Sequence, residues 1–257
     1  MIPVAARPNP VLFAHRGGGA EAPENSWTAF RRAVAMGITH IETDVHLSRD
    51  GRVVVIHDPV LDRTYDISGT VGQHTASELA AARNAAGEAP PFLDDVLREF
   101  PDTYFNIDAK EDAVVEPLMD TLERHDAFGR VMIASFSQNR LDQVRRSFAR
   151  ELSTSLSSKE VASLVAASTL VVNPESLRVP GPFRSARAAQ VPTHYGPVKV
   201  VTPRFVATAH TMGLAVHVWT VDESDEMARL LDMGVDGLIT DRPTVAIEVL
   251  KARGQWG

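Results

Sequence analysis

Cysteine is absent from the 257-residue chain. That removes disulfides, thiolate metal sites and cysteine nucleophiles from consideration. No apolar run approaches the roughly 20 residues that a membrane-spanning helix needs. The opening stretch MIPVAARPNPVLF carries a single arginine and no long apolar core, so no signal peptide is expected and a cytoplasmic protein is the default. The glycine signatures GxGxxG and GxxxxGK are missing, which leaves nucleotide-cofactor readings unsupported. No His-x-His pair occurs, against a zinc amidohydrolase type of site. Positive charge is in deficit: Lys+Arg 26 stand against Asp+Glu 33, a net charge of −7. Binding to nucleic acid needs a basic surface, so any phosphate handled here must meet local positive charge in a cleft.

What is present is an ordinary core composition, 44% hydrophobic and 23% charged. Short apolar, β-branched runs alternate with helical patterns almost from end to end. Strands are expected at Val11–Ala14, His40–His46, Val53–His57, Tyr104–Asp108, Val131–Ser135, Leu152–Leu156, Leu170–Val172, weakly near Gln190–Val191, Val216–Val221 and Gly237–Thr240. Helical patterns cover Ser26–Met36, Phe92–Phe100, Val114–Asp126, Gln138–Ala149, Lys159–Ala167, Pro203–Met212, Glu223–Met233 and Thr244–Ala252. Such alternation means parallel strands joined by crossovers, in a barrel or in an open doubly wound sheet. About eight strands remain once Val53–His57 is treated as an extension, which favours a (β/α)8 TIM barrel of the usual length. The chain reads as one domain over residues 1–257. A polar, Gly- and Pro-containing stretch at Pro59–Pro91 is too long for an ordinary loop and reads as an insertion at the barrel mouth. Asn173–Lys199 carries five prolines and little periodicity.

The chemistry concentrates where apolar runs end. IETDVH sets Glu42 and Asp44 two residues apart, hence on one side of a strand. Two such carboxylates either face solvent in salt bridges or hold a hard divalent cation between them, Mg²⁺ or Ca²⁺. FNIDAK adds Asp108 and, on the same side, Lys110, either a phosphate partner or the first exposed residue of a loop. FAHRGG ends the first strand with His15 and Arg16 before Gly17–Gly19, whose amides could approach an anion; a guanidinium grips phosphate oxygens well. VVVIHD brings His57. A pair of histidines at strand ends can serve as general acid and general base. Trp219, in HVWTVDE, is either core or an apolar wall for a ligand. Asp241, at the tip of GVDGLITDRP, reads as the cap of the following helix. His217 and His194 stay ambiguous.

FAHRGG, PENSWTAFRRAVAMG, IETDVHLSRDGRVVVIHDPVLDRT, the SFS of Ser135–Ser137 and HVWTVDE…GVDGLITDRP, in that order from Val11 to Pro243, resemble the glycerophosphodiester phosphodiesterases. The resemblance implies a TIM barrel with a small insertion after the second strand. It also implies metal-dependent hydrolysis of glycerophosphodiesters, small-molecule substrates, to glycerol 3-phosphate and an alcohol, through a cyclic phosphate. By motif, His15 and His57 resemble the acid/base pair, Glu42, Asp44 and Asp108 the metal ligands, Arg16 and Lys110 the phosphate contacts, and Trp219 a substrate wall. Three positions depart from the family pattern: Asp108 stands where Glu is common, Ser26 where Thr is usual, and Tyr65 where a second Thr is common. The alternative reading is a lysophospholipase D or sphingomyelinase D-like enzyme using the same site. A phosphoinositide-type phospholipase matches less well, and a non-catalytic phosphoester-binding barrel predicts loss of a histidine or carboxylate that this chain retains. No nucleic-acid partner and no integral membrane segment are expected, and the sequence sets no oligomeric state.

Overall fold

The computed structural model describes residues 9–148 and 152–256. Met1–Pro8, read above for a leader, and Ala149, the expected end of one helix, lie outside the described residues. Strand β1 (Val11–His15) leads through helix α1 (Trp27–Ala35) to β2 (His40–Leu47), and β3 (Val53–Val55) folds back antiparallel on β2. Helices α2 (Ala76–Ala81) and α3 (Leu93–Glu99) precede β4 (Tyr104–Ala109), followed by α4 (Val115–Arg124), β5 (Val131–Ala134), α5 (Gln138–Phe148) and β6 (Ser153–Ser155). Next come α6 (Ser158–Leu170), β7 (Ala186–Val191), the hairpin β8 (His194–Tyr195) and β9 (Val198–Lys199), and α7 (Pro203–Thr211). The chain ends with β10 (Ala215–Val218), α8 (Ser224–Asp232), β11 (Gly237–Thr240) and α9 (Pro243–Ala252). Hydrogen bonding runs β1-β11-β10-β7-β6-β5-β4-β2 and closes through β1–β2, all parallel. This is a TIM barrel.

One strand expectation is borne out and another needs correction. Val53–His57 is an extension, with β3 pairing antiparallel on β2 outside the barrel ring. Leu170–Val172 forms no strand: Leu170 ends α6, and Val171 leaves it in the left-handed conformation at φ 57°. The capping box of Ser157 and Glu160 starts α6, and buried Glu160, Leu164 and Ala167 continue its helical period. The sixth stave is the alanine-rich Ala186–Val191, which takes in the weak strand expected near Gln190–Val191 and is a poor strand former by composition. It holds because Ala188 packs with Met132 and Ala215 inside the barrel, where larger side chains have no room.

The barrel interior is filled beneath the mouth. Phe13 packs against His217 (ring centroids 4.8 Å apart) and His40 (5.2 Å), and His40 stacks on Tyr104 at 4.8 Å. Burial pushes the His217 imidazole down to about 4, so it is a neutral filler at physiological pH. Residues 59–91 carry more structure than their composition suggests. Six-residue α2 stands on a Thr75–Glu78 capping box. Leu61, Tyr65, Val71, Leu79 and Ala82 bury themselves against Val54 and Ile56 beside β3. Each fully buried Leu or Val contributes roughly 1.5–3 kcal/mol, enough to fix this small cluster onto the C-terminal face of β2.

Candidate active site

Parallel register assembles the polar residues. His15 lies opposite Glu42, and Asp44 lies opposite Asp108, so the ends of β1, β2 and β4 present one continuous group. Ile56 N–H donates to the Asp44 carbonyl at 3.0 Å, which brings His57 to the same rim. Arg16 follows His15 at φ 51°, and its N–H donates to Glu42 Oε2 at 3.1 Å. Its guanidinium donates to both Glu24 oxygens at 3.3 Å. Its Nε stands 3.5 Å from Asp44 Oδ2 without a hydrogen-bond partner. Lys110 Nζ donates at 2.7 Å to Asp44 Oδ1 and at 2.7 Å to Asp108 Oδ2.

Each of the two histidines is gripped at Nδ1 by a carboxylate. His15 Nδ1 is 2.8 Å from Asp241 Oδ1, and His57 Nδ1 is 2.6 Å from Asp58 Oδ1. A carboxylate only accepts, so both Nδ1 atoms carry hydrogen and both Nε2 atoms remain for proton transfer. Asp241 is therefore no helix cap; Arg242 occupies that position in α9. The β1–β11 register pairs Ala14 with Thr240, and one residue further His15 meets Asp241. Asp58 is anchored in turn by Arg63, which also donates to Glu24. A chain of alternating charge thus runs Arg16–Glu24–Arg63–Asp58–His57 from barrel to insertion.

Asn25, the residue just ahead of the helix expected at Ser26–Met36, reaches into the site. Ser26 caps α1 by accepting from Ala29 N–H at 3.1 Å. Asn25, at φ 51°, donates to Asp44 Oδ2 at 3.0 Å and accepts from Thr43 Oγ1 at 2.6 Å. The glycine run makes no anion cradle. The N–H groups of Gly17, Gly18 and Gly19 donate to the Ala14 and His15 carbonyls. Gly17, at φ +83°, is a close-approach residue: a Cβ there would fall 2.7 Å from Ala29 Cβ.

The electrostatics are those of a site short of positive charge. Burial first, then Asp44, pushes the Glu42 carboxyl up to about 8. Burial also raises Asp108, against the pull of Lys110. Asp44 falls below the usual carboxylate range because Lys110, His57 and Arg16 overcome its burial. Burial opposes the charged form of His15, yet Glu42 and Asp241 raise its imidazole above the ordinary value. Arg63 first and His57 next hold Asp58 at about 2. Among the described residues no three His, Asp or Glu side chains converge as a ready cage, since the Lys110 ammonium stands between Asp44 and Asp108.

Trp219 is half-buried at the end of β10. Its ring meets Phe136, which follows β5 and is 60% exposed, edge-on at 5.8 Å. The polar residues occupy the β1–β2–β4 arc of the mouth, and this aromatic pair spans the arc over β6 and β7.

The family model described as the glycerophosphoryl diester phosphodiesterase family matches residues 15–245, from His15 to the start of α9. The chain belongs to that family of enzymes. A Mycobacterium tuberculosis relative named "Probable glycerophosphodiester phosphodiesterase 2" is 38% identical over 247 residues, 96% of this chain and 92% of that protein. The family's barrel is matched by the crystal structure of a glycerophosphodiester phosphodiesterase from Agrobacterium tumefaciens, with TM-score 0.76 and 23% identity over 92% of this chain and 98% of that one. An Oleispira antarctica phosphodiesterase in complex with the product sn-glycerol-3-phosphate aligns with TM-score 0.76 and 22% identity, covering 95% of this chain and 97% of that chain.

Proposed function

We propose that the chain hydrolyses glycerophosphodiesters to glycerol 3-phosphate and an alcohol, with His15 and His57 as the acid/base pair. The observation that carries this reading is the pair of carboxylate-held imidazoles flanking buried Glu42, Asp44 and Lys110. A carboxyl raised first by its burial and then by Asp44 is short of positive charge, and an all-oxygen donor set suits a hard divalent cation, Mg²⁺ or Ca²⁺. Glu42 and Asp44 would hold it, and Asp108 joins them if Lys110 turns from it toward the phosphate. Such an ion, when bound, polarises a phosphoryl oxygen and acidifies a hydroxyl.

The protein's own groups do the rest. Arg16 and Lys110 stabilise charge that builds on the phosphoryl oxygens. One imidazole Nε2 accepts the proton of the neighbouring glycerol hydroxyl as its oxygen attacks phosphorus. The other gives its Nε2 proton to the departing alkoxide, and the resulting cyclic phosphate opens when water attacks with the roles reversed. Incubation with glycerophosphocholine, glycerophosphoethanolamine and glycerophosphoinositol, each with Mg²⁺, Ca²⁺ or Mn²⁺, is expected to release glycerol 3-phosphate. Release from none of them would overturn the reading. The exposed Phe136 beside Trp219 favours a lysophospholipase D activity as the second reading, and lysophosphatidylcholine in the same panel tests it.

Asp241 has a measurable part in this scheme. Its carboxylate helps raise the His15 imidazole, so Asp241→Asn lowers that value. The limb of the kcat/KM pH profile that belongs to His15 is expected to move to lower pH, with kcat reduced by about 10-fold or more as the ring loses its anchor. An unmoved profile would show that Asp241 does not tune His15.

A further inference from the structure

One segment departs from the rest of the chain in charge and in surface. Between Val161 and Val221 lie five Lys and Arg against one acidic residue, Glu175, in a chain whose net charge is −7. Six of the nine large hydrophobic residues exposed among the described residues also fall here, within 170–198. Four of them gather at one place. Leu170 (67% exposed), Val171 (75%) and Val172 (40%) sit at the C-terminal end of α6, and Phe183 projects fully from the turn before β7. Helix α6 runs from the mouth to the opposite rim, and β7 begins at that rim, so these side chains occupy the N-terminal end of the barrel.

They form a neighbourhood and not a scatter. Val171, Val172, Met212 and Arg204 line an open groove of about 540 Å³ between α6 and α7. Pro182, next to Phe183, packs at 3.3 Å from the Cβ position of Gly213, which follows Met212. Arg204 lines the groove together with Glu175, Arg178 and Arg184 are exposed on the turns that lead from it to β7, and among the described residues none of the three arginines forms an ion pair. The backbone is strained there as well. Val171, Arg178 and Ser185 adopt φ of 57°, 61° and 62°. A β-branched residue is a rare choice for the left-handed exit of a helix, where glycine is the norm. At Val171 an isopropyl group faces water at a conformational cost that a folding role does not explain.

We propose that this rim docks on an anionic lipid surface, with Leu170, Val171, Val172 and Phe183 entering the acyl boundary and the arginines meeting lipid phosphates. Exposed apolar tips ringed by arginine match such an interface in both polarity and charge, against the acidic remainder of the protein. Docking by this end leaves the active-site mouth facing the aqueous phase, open to water-soluble diesters.

Co-sedimentation with phosphatidylcholine vesicles, with and without phosphatidylglycerol, tests the proposal. Binding is expected only with phosphatidylglycerol, weakening as salt rises. Each arginine contributes about fivefold, so the triple variant Arg178→Glu, Arg184→Glu, Arg204→Glu loses about 100-fold or more. Phe183→Ser is expected to bind weakly with unchanged turnover of glycerophosphocholine. Val171→Gly separates the proposal from a structural role: relief of strain raises Tm by about 2–4 °C while vesicle binding falls. Equal binding to both vesicle types, or wild-type binding by Phe183→Ser and Val171→Gly, overturns it. So does light scattering that shows a dimer dissolved by Phe183→Ser, because the patch would then be a surface for a second copy.

Discussion

His15→Ala and His57→Ala each lower kcat on glycerophosphodiesters by at least ~10²-fold, with little change in Tm. Both imidazoles have their Nδ1 atoms committed, to Asp241 at 2.8 Å and to Asp58 at 2.6 Å, so each ring is oriented with one nitrogen left for chemistry. Alanine removes that nitrogen and leaves no donor able to reach the same point. The rings lie at the rim, and neither belongs to the apolar core, which is why stability is spared. Because the two act on one proton inventory, the double variant is expected to lose far less than the product of the single losses. An activated substrate separates the roles. A diester with a p-nitrophenol leaving group needs no proton on departure, so it restores turnover to the variant lacking the acid and not to the one lacking the base. Near-wild-type activity of both single variants on natural diesters removes the acid/base assignment.

Much of this site is legible in the sequence because burial of charge is costly, and acids at the ends of apolar runs advertise a reason for being there. Glu42, Asp44 and Asp108 are read that way, and barrel register brings them together with His15 and Lys110. What is not legible depends on register between distant segments. Asp241 reads as a cap until the closing β1–β11 pairing sets it beside His15. Asn25 falls just ahead of the expected Ser26–Met36 helix with no signal of its own for the site, yet its left-handed backbone turns its amide toward Asp44. The glycine run suggests an anion cradle, but steric closeness to Ala29 explains it better. For the sixth stave, local propensity points the wrong way. Leu170–Val172 has the β-branched composition and no neighbouring strand to pair with. Ala186–Val191 has the small side chains that the barrel interior admits, and β6 and β10 on either side.

The other large effect concerns Glu42 and the cation its surroundings invite. Its carboxyl sits at about 8 in the folded chain against an ordinary 4.5, raised by burial and by Asp44. The folded state therefore holds a proton that the unfolded chain has released at any pH between those values. The stabilising contribution is complete below about 4.5 and is lost as pH rises through about 8. Proton affinity that differs tenfold between the folded and unfolded chain is worth ~1.4 kcal/mol, so the swing amounts to a few kcal/mol at most. In chelator, Tm of the wild type is expected to fall relative to Glu42→Gln on moving from acid to mildly alkaline pH. The two proteins should start close together, with the variant the more stable at the alkaline end. A divalent cation supplies the missing positive charge, so Mg²⁺ or Ca²⁺ should raise wild-type Tm most where Glu42 would otherwise be forced to ionise unaided. Glu42→Gln should lose most of that gain. Turnover is expected to vanish in chelator and return with the ion. A wild-type Tm that tracks Glu42→Gln across the whole range, with activity indifferent to chelation, would mean that Glu42 ionises in the folded chain as readily as in the unfolded one and that the carboxylates bind no metal.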